Sequence, residues 1–314
     1  MAWANAKTAA KTASADPAIA YGKEYYQNLF QQKISTQEGA QIRMALVGHE
    51  NTAKTGLALS FAYTPADKKA GKKVFVIDFD NSAQSIIDFA YENDPNIVRL
   101  PVHDEMDESI FNEDNTVNWL AMVHKTQWFV NIIAAENPDD VAGVVFDGGS
   151  SFLKICEMAM RDSLISKGMI ADISDTFNQK EWQERNRLFR QTLNRVHGLP
   201  FSKVFFTFHL KSIQQYMDDG SGRKVLMSVG ERPEWEKGTM RLFSQQIFLS
   251  RYMKKADPAA GVKADKTMAD GEWAIRATVE EMKGKNMEHL GQTFDVLTVK
   301  KGDVKWHGLP MLKW

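Results

Sequence analysis

Cysteine is nearly absent from this sequence, since Cys156 is the only one in 314 residues. A disulfide framework and a cysteine metal site are therefore excluded. Cys156 lies in an apolar stretch with helical spacing, where a thiol acts as a small buried hydrophobic group. We assign it no chemistry.

Long apolar runs and a strong net charge are also missing. No run approaches the roughly 20 residues that span a bilayer, and the N-terminus lacks the charged-then-apolar order of a secretory signal. We therefore expect a soluble, cytoplasmic protein with no membrane partner. The formal net charge is −1, so a nucleic-acid partner would have to be held by a local basic or aromatic patch.

One short motif is the most informative feature of the sequence. An apolar strand at 42–47 runs into Gly48, four residues follow, and then come Ala53, Lys54 and Thr55. In a phosphate-binding P-loop of this spacing, backbone N–H groups surround the phosphates of ATP, the lysine reaches the β and γ oxygens, and the hydroxyl binds Mg²⁺. The predicted nucleotide-binding residues are Gly48, His49, Glu50, Asn51, Thr52, Ala53, Lys54, Thr55 and Gly56.

Ala53 departs from the P-loop pattern by one methyl group, because glycine usually precedes the lysine. Glycine serves there for backbone freedom and close approach to phosphate, and alanine keeps only part of that freedom. The alternative is an ordinary strand–turn–helix connection that happens to carry glycine and Lys-Thr. Residues further along the chain favour the P-loop.

Short apolar runs alternate with helical segments along the chain. The runs span residues 42–47, 73–78, 142–147 and 203–208. They predict an α/β fold with a mainly parallel sheet covered by helices, including helices at 117–134 and 177–197. A strand is predicted at 241–253. A period-two pattern at 273–282 and short runs at 294–300 and 304–306 predict antiparallel C-terminal strands.

These patterns divide the chain into three parts. Residues 1–37 are predicted to form a flexible arm and a short helix. Residues 38–252 form the predicted ATPase core. Residues 253–314 hold a predicted polar, mobile linker and a β-hairpin that extends the core.

Two apolar strands end in carboxylates. Asp147 follows the P-loop at the distance expected of a residue that steadies hydrated Mg²⁺. Asp78 and Asp80 share one face of an earlier strand end, where ligands of such sheets bind. We favour Asp80, which lies further out, as the residue that polarises the attacking water. The alternative is that both carboxylates only cap the following helix.

His209 follows the fourth apolar run. A histidine at this strand end could hydrogen-bond near the γ-phosphate and report its presence to the loop that follows. A lone histidine at a strand end is otherwise structural.

In this order of parts the sequence resembles the RecA-like ATPases over residues 38–300, and is closest to the compact RecA-like ATPases of phages, including single-strand-annealing proteins. The resemblance implies that Asp80 is the catalytic carboxylate and that His209 is the sensor. It also implies basic residues that reach a neighbouring subunit's nucleotide, which here are Lys283 and Lys285. A solvated hairpin is the alternative for that Lys-Gly-Lys turn.

The resemblance further implies DNA-binding segments at 150–176 and 211–239. The second segment interleaves basic and aromatic residues, which suits contact with single strands, but acidic residues dilute this signal. The candidate nucleic-acid contacts are Lys211, Tyr216, Arg223, Lys224 and Arg232. No motif specifies DNA by itself, so this step rests on the resemblance alone.

The sequence therefore predicts a Mg²⁺-dependent RecA-like ATPase that acts on single-stranded DNA in recombination or strand annealing. The resemblance implies a phage or mobile element in a bacterial host, ATP bound between subunits of a ring or filament, and a single-strand-binding protein as a further partner. One alternative is a nucleotide-dependent oligomeric switch or assembly protein without DNA binding, which Ala53 and the small net charge favour mildly. A DNA-translocating motor is the second alternative.

Overall fold

The computed structural model describes residues 41–308, apart from 173, 176–179, 181, 219, 221–222 and 283–288. The arm and short helix predicted at 1–37 lie outside the described residues, as do Lys283 and Lys285. In the part of the chain that is described, no helix has the length and apolar character of a membrane span.

Strands and helices alternate through the first two thirds of the chain, and the described residues that follow form strands and short 3₁₀ turns. The strands are β1 (Ile42–Gly48), β2 (Lys73–Asp78), β3 (Ile97–Pro101), β4 (Val141–Asp147), β5 (Lys203–Asp218), β6 (Lys224–Pro233), β7 (Gln245–Met253), β8 (Val262–Ala264), β9 (Trp273–Met282), β10 (Thr293–Lys300) and β11 (Asp303–Trp306). The helices are α1 (Lys54–Ala62), α2 (Pro65–Lys69), α3 (Ala83–Ala90), α4 (Trp119–Ala134), α5 (Gly149–Ser166) and α6 (Trp182–His197).

The strands form one sheet in the order β11-β10-β9-β7-β1-β5-β4-β2-β3, with β6 paired to β5 and β8 paired to β7. The six strands from β7 to β3 in this order are mutually parallel, whereas β9, β10 and β11 are antiparallel to their neighbours. The predicted fold class, a mainly parallel α/β core with antiparallel C-terminal strands, is confirmed.

Both faces of the parallel sheet are covered by apolar layers, as expected for parallel strands. On one face, α4, α5 and α6 pack against a cluster that contains Phe146, Phe152 and Phe206. On the other face, α1 and α3 pack against a cluster that contains Met44, Val76 and Val145, and the C-terminal strands continue this second layer. The carboxyl ends of β1, β2, β4 and the inner half of β5 therefore meet at one edge of a rigid core.

Several local predictions need correction. The helix predicted from 117 begins at Trp119, because the Asn118 side chain accepts a hydrogen bond from the Ala121 N–H at 2.9 Å and caps the helix. The strand predicted at 241–253 begins at Gln245, after a 3₁₀ turn over Thr239–Leu242. The stretch predicted as a mobile linker after residue 253 contains β8.

The largest difference concerns the segment after His209, which was predicted to be a loop. Instead β5 continues through Asp218, and β6 returns antiparallel to it. Every described residue at 211–218 is exposed. The two strands therefore form a hairpin that projects beyond the packed layers, and we call residues 211–233 the β5–β6 hairpin.

Candidate active site

The side chain of Lys54 is held by backbone carbonyl groups of the preceding loop, residues 48–53. Lys54 Nζ donates to the carbonyl oxygens of Gly48 at 3.1 Å and His49 at 2.6 Å, and the Thr52 hydroxyl also donates to the His49 carbonyl at 2.8 Å. A Cβ at Gly48 would lie 2.5 Å from Thr52 Oγ1 and 2.7 Å from the Leu249 carbonyl oxygen, so only glycine fits there. These contacts fix the ammonium group at the start of α1.

Ala53 adopts a left-handed backbone conformation immediately before α1, with φ 58° and ψ 24°. This region is unfavourable for residues that carry a Cβ and free of that cost for glycine. The geometry therefore explains why glycine is usual before the lysine, and it shows that alanine keeps the same loop path at some strain.

Lys54 is almost fully enclosed, with 8% of its surface exposed. Burial lowers the pKa of its ammonium group to about 8, against the opposing effects of Asp147, Asp80 and Glu50. The site thus holds a partly desolvated cation beside three carboxylates. A bound polyphosphate would compensate this charge at close range.

Asp147 accepts hydrogen bonds from three hydroxyl groups of the site. Its Oδ1 accepts hydrogen bonds from Thr55 Oγ1 at 3.0 Å and Thr207 Oγ1 at 2.7 Å. Its Oδ2 accepts from Thr55 Oγ1 at 2.9 Å and Ser82 Oγ at 2.9 Å. Thr207 also accepts from the Gly148 N–H at 2.8 Å. Because β5 lies beside β4 in the sheet, Thr207 reaches Asp147 from the neighbouring strand.

Three carboxylates converge at this position. One oxygen each of Asp78, Asp80 and Asp147 lies within 4.8 Å of the others. Burial raises the pKa of Asp147 to about 6, and the neighbouring Asp80 and Asp78 add to that effect. Carboxylate and hydroxyl oxygens are the ligands that Mg²⁺ prefers, so the donor set fits this ion, which would stabilise the ionised form of Asp147.

Asp78 and Asp80 differ in their surroundings. Asp78 is fully buried, and Arg99 Nε on β3 donates to its Oδ2 at 2.7 Å. Burial raises the pKa of Asp78, and the Arg99 contact opposes that rise. Asp80 is about one third exposed, and its Oδ1 accepts from the Ser82 N–H at 3.2 Å. Asp80 therefore does help to start α3, while its Oδ2 faces His209.

His209 lies where β5 leaves the packed core. Its Nε2 is 4.0 Å from Asp80 Oδ2, and its backbone N–H donates to the Ser150 hydroxyl at 2.9 Å. Burial, assisted by Lys54, lowers the pKa of His209, which favours the neutral imidazole. The structure thus places Lys54, Thr55, Asp80, Asp147 and His209 close together.

Comparison with known proteins identifies the family of the chain. A family model described as "AAA domain" matches residues 40–247, about two thirds of the chain. The chain belongs to the AAA domain family. No curated protein sequence matches it. The crystal structure of a KaiC-like protein from the hyperthermophilic archaeon Pyrococcus horikoshii OT3 aligns over 84% of this chain and 88% of that chain, with 13% identity and a TM-score of 0.41.

The AAA domain of this chain is a P-loop ATPase domain, and its described residues include two site members that the sequence did not reveal. Thr207 and Ser82 both donate to Asp147. Thr207 stands two residues before His209 on the same strand face, and Ser82 stands two residues after Asp80. A hydroxyl at such a strand end is common, so only the spatial order of the strands identifies their role.

The candidate nucleic-acid residues all belong to the β5–β6 hairpin, but they do not share one face. Lys211 and Arg232 are directly paired across the strands. Tyr216 pairs with Leu226, and Asp218 with Lys224, on the opposite face. Arg223 stands just before β6 and is exposed. The structure therefore separates the predicted set into two surfaces.

The AAA domain also links its P-loop directly to the hairpin. His49 Nε2 lies 2.6 Å from Glu231 Oε1, on the hairpin face that carries Tyr216. A Cβ at Gly261 would overlap the His49 ring, so the turn before β8 also touches it. His49 was predicted only as a member of the phosphate-binding loop. Its contact with Glu231 depends on the hairpin, which the sequence did not reveal.

Proposed function

We propose that this AAA domain binds Mg²⁺-ATP and hydrolyses it, and that it couples the reaction to work on single-stranded DNA in recombination or strand annealing. Lys54 binds the β and γ phosphate oxygens, assisted by the N–H groups of the loop from Gly48 to Thr55. Support comes from the enclosed ammonium group and its tethers to the loop carbonyls.

Thr55 and Asp147 are the residues that would hold Mg²⁺. The ion would neutralise developing charge on the β and γ oxygens during phosphoryl transfer. Thr207 and Ser82 orient the Asp147 carboxylate from two sides, so its oxygens are fixed before the ion arrives.

Asp80 positions and polarises the attacking water in this proposal. Its exposure and its position opposite the buried, Arg99-bound Asp78 support that choice. His209, which lies beside Asp80, hydrogen-bonds near the γ-phosphate and responds to its loss. Lys283 and Lys285 act on the nucleotide of the next subunit, which requires a ring or filament; this step rests on the resemblance alone.

The observation that carries the DNA proposal is the continuity of β5. One strand runs from the buried core through His209 into a hairpin that displays Lys211, Arg223, Lys224 and Arg232. Tyr216 on this hairpin is 70% exposed. Proteins hold single-stranded DNA in two ways: basic side chains bind the phosphate backbone, and exposed aromatic rings stack on the bases.

Binding of a labelled oligothymidylate, followed by anisotropy at low salt with and without ATP, tests the DNA proposal. We expect Tyr216→Ala and the double variant Lys211→Glu/Arg232→Glu each to weaken binding about tenfold. Lys255→Glu/Lys266→Glu, which exchanges two exposed lysines remote in sequence from the hairpin, serves as the charge-matched control for the double variant. No affinity of the wild-type protein at low salt would refute the DNA function.

One observation favours the second candidate function, a nucleotide-dependent assembly protein. Ile213, Met217 and Val225 share one face of the hairpin and are each exposed by more than a third of their surface, and neighbouring exposed apolar groups mark protein contacts. A protein that lacks DNA affinity but assembles when ATP is added, and loses assembly on Met217→Ser, would support this alternative. Loss of turnover in Lys54→Ala is expected for either function.

A further inference from the structure

Arg99 on β3 holds the chain between β2 and α3 at three points. The two strands are paired in parallel, with Arg99 in register with Val76. The guanidinium donates through Nε to Asp78 Oδ2 at 2.7 Å, through Nη1 to Gln84 Oε1 at 3.1 Å, and through Nη2 to Asn81 Oδ1. One planar group therefore joins the end of β2, the turn that follows it and the first turn of α3.

The turn held in this way carries two members of the candidate active site. Asp80, the residue proposed to polarise the attacking water, stands directly before Asn81, and Ser82 stands directly after it. The Ser82 hydroxyl donates to Asp147 Oδ2 at 2.9 Å. Arg99 binds residues on both sides of Asp80 and Ser82, so it fixes their positions through the chain that connects its three contacts.

Two local features show that this turn is held from outside. Asn81 has φ 59°, a left-handed conformation that costs energy for residues with a Cβ, although asparagine tolerates it better than most. Ser82 is the N-cap residue of α3, but its hydroxyl is directed to Asp147, and it forms no capping hydrogen bond within the described helix. The contacts of Arg99 with Asn81 and Gln84 hold the turn and the helix start from the neighbouring strand.

Arg99 is itself held at one end. Its side chain is 20% exposed, and its partner Asp78 is fully buried. Charge-assisted hydrogen bonds of this kind are stronger than those between neutral groups, so the buried carboxylate gives the guanidinium a fixed position. The donors that remain then point in fixed directions, toward Asn81 and Gln84 at the surface.

We propose that Arg99 is a positioning residue for ATP hydrolysis, which holds Asp80 and Ser82 in the positions that the reaction requires. Asp80 then faces the attacking water, and Ser82 keeps its hydrogen bond to Asp147. Phosphate binding by Lys54 takes place on a different loop, so Arg99 affects the chemical step and not the affinity for ATP. This inference rests on the ATPase function proposed above.

Steady-state ATP hydrolysis by the full chain tests the role of Arg99. Arg99→Lys keeps a positive charge beside Asp78 but cannot reach three acceptors. Its kcat should fall about tenfold, as is typical when a residue that orients an active-site group is lost, while KM for ATP stays within about twofold of wild type. Asn81→Gly/Gln84→Ala keeps the buried ion pair and the left-handed turn, and it should show the same separation of kcat from KM.

The matched control is Asn115→Gly/Gln191→Ala. Asn115 is an exposed asparagine with φ 63°, and Gln191 is an exposed helical glutamine that accepts a hydrogen bond from an arginine. The control therefore makes the same chemical changes outside the turn, and its kcat should stay near the wild-type value.

Amide hydrogen exchange gives a readout that does not depend on turnover. Exchange over residues 79–87 should be faster in Arg99→Lys and in Asn81→Gly/Gln84→Ala than in wild type, with the rest of the chain unchanged, which also shows that both variants fold.

The outcomes distinguish this inference from the function on which it rests. A wild-type protein that does not hydrolyse ATP would refute the proposed function, and the role of Arg99 with it. If the wild type does hydrolyse ATP, three results would each overturn the role of Arg99 alone. They are an unchanged kcat in both variants, a loss of kcat in the control equal to theirs, and unchanged exchange over residues 79–87.

Discussion

His49 Nε2 and Glu231 Oε1 lie 2.6 Å apart, joining the second residue of the P-loop to the base of the β5–β6 hairpin. The same histidine supplies the carbonyl oxygen that accepts from Lys54 Nζ. We therefore expect a shift of the loop on phosphate binding to alter a contact with the hairpin. His209 provides a second connection, since it belongs to the strand that becomes the hairpin.

The first prediction concerns this contact. Glu231→Ala should reduce the effect of ATP on tryptic cleavage after Arg223 and Lys224, which are exposed near the hairpin tip. The affinity for ATP should stay within about fivefold of wild type, because both side chains are partly exposed and such pairs contribute about 1 kcal/mol or less. Glu280→Ala, an exposed glutamate on β9, is the matched control. An undiminished ATP effect on cleavage in Glu231→Ala would contradict the link.

A second prediction follows from the backbone of Ala53. Ala53→Gly should stabilise the folded protein by about 0.5–1 kcal/mol, because relief of the left-handed strain outweighs the added flexibility of the unfolded chain. Thermal or urea unfolding measures the change. Ala121→Gly in the first turns of α4 should have the opposite sign, with a loss of about 1 kcal/mol. Equal destabilisation by both substitutions would show that Ala53 is not strained.

The third prediction concerns pH and the burial of Asp147. Its folded pKa is raised to about 6, above the unfolded value of about 4. Ionisation of Asp147 therefore lowers the free energy of unfolding. This destabilisation is absent below about pH 4, grows as the pH rises, and reaches its full value above about pH 6. Asp147→Asn should stabilise the metal-free protein by about 1–3 kcal/mol at pH 7.5, with less gain at pH 4.5.

Urea unfolding at the two pH values, in the presence of a chelator, measures this difference. The same variant should lose Mg²⁺-dependent ATP turnover, since an amide is a poor ligand for Mg²⁺. A stability gain that does not vary with pH would mean that ionisation of Asp147 is not its origin.

The fourth prediction assigns a positioning role to Thr207. Thr207→Val keeps the shape but removes a donor to Asp147 and leaves the buried Gly148 N–H without its partner. We expect a loss of about 1–3 kcal/mol in stability and about tenfold in kcat, together with a higher Mg²⁺ requirement. Thr207→Ser keeps the hydroxyl and should retain turnover near the wild-type value. Equal kcat values for the valine and serine variants would exclude the role of the hydroxyl.

The buried core was largely predictable because strands that are buried on both faces consist of continuous apolar residues, which are visible in the sequence. The apolar runs that became β1, β2, β4 and the inner half of β5 are continuous, and the motif around Lys54 marks the turn between β1 and α1. Polar residues at the ends of those runs, such as Asp147 and His209, could then be assigned to the same edge of the sheet.

The rest was not predictable for physical reasons. The outer half of β5 is exposed on both faces, so it shows no alternation that would distinguish a strand from a loop. The pairing of Arg99 with Asp78 depends on β3 lying beside β2, and the contacts of Thr207 depend on β5 lying between β1 and β4. Strand order is a property of the whole sheet, and local sequence does not encode it.

The uninterrupted strand β5 has a mechanical consequence. Asp218 lies nine residues beyond His209 in the same strand, which at the rise of an extended chain is an arm of roughly 30 Å. A tilt of about 5° at His209 would therefore carry the far end through about 2.5 Å, comparable to the spacing of hydrogen-bonded atoms. A small rotation of β5 at the nucleotide site is thus expected to displace the exposed end of the strand, in solvent, by a larger distance.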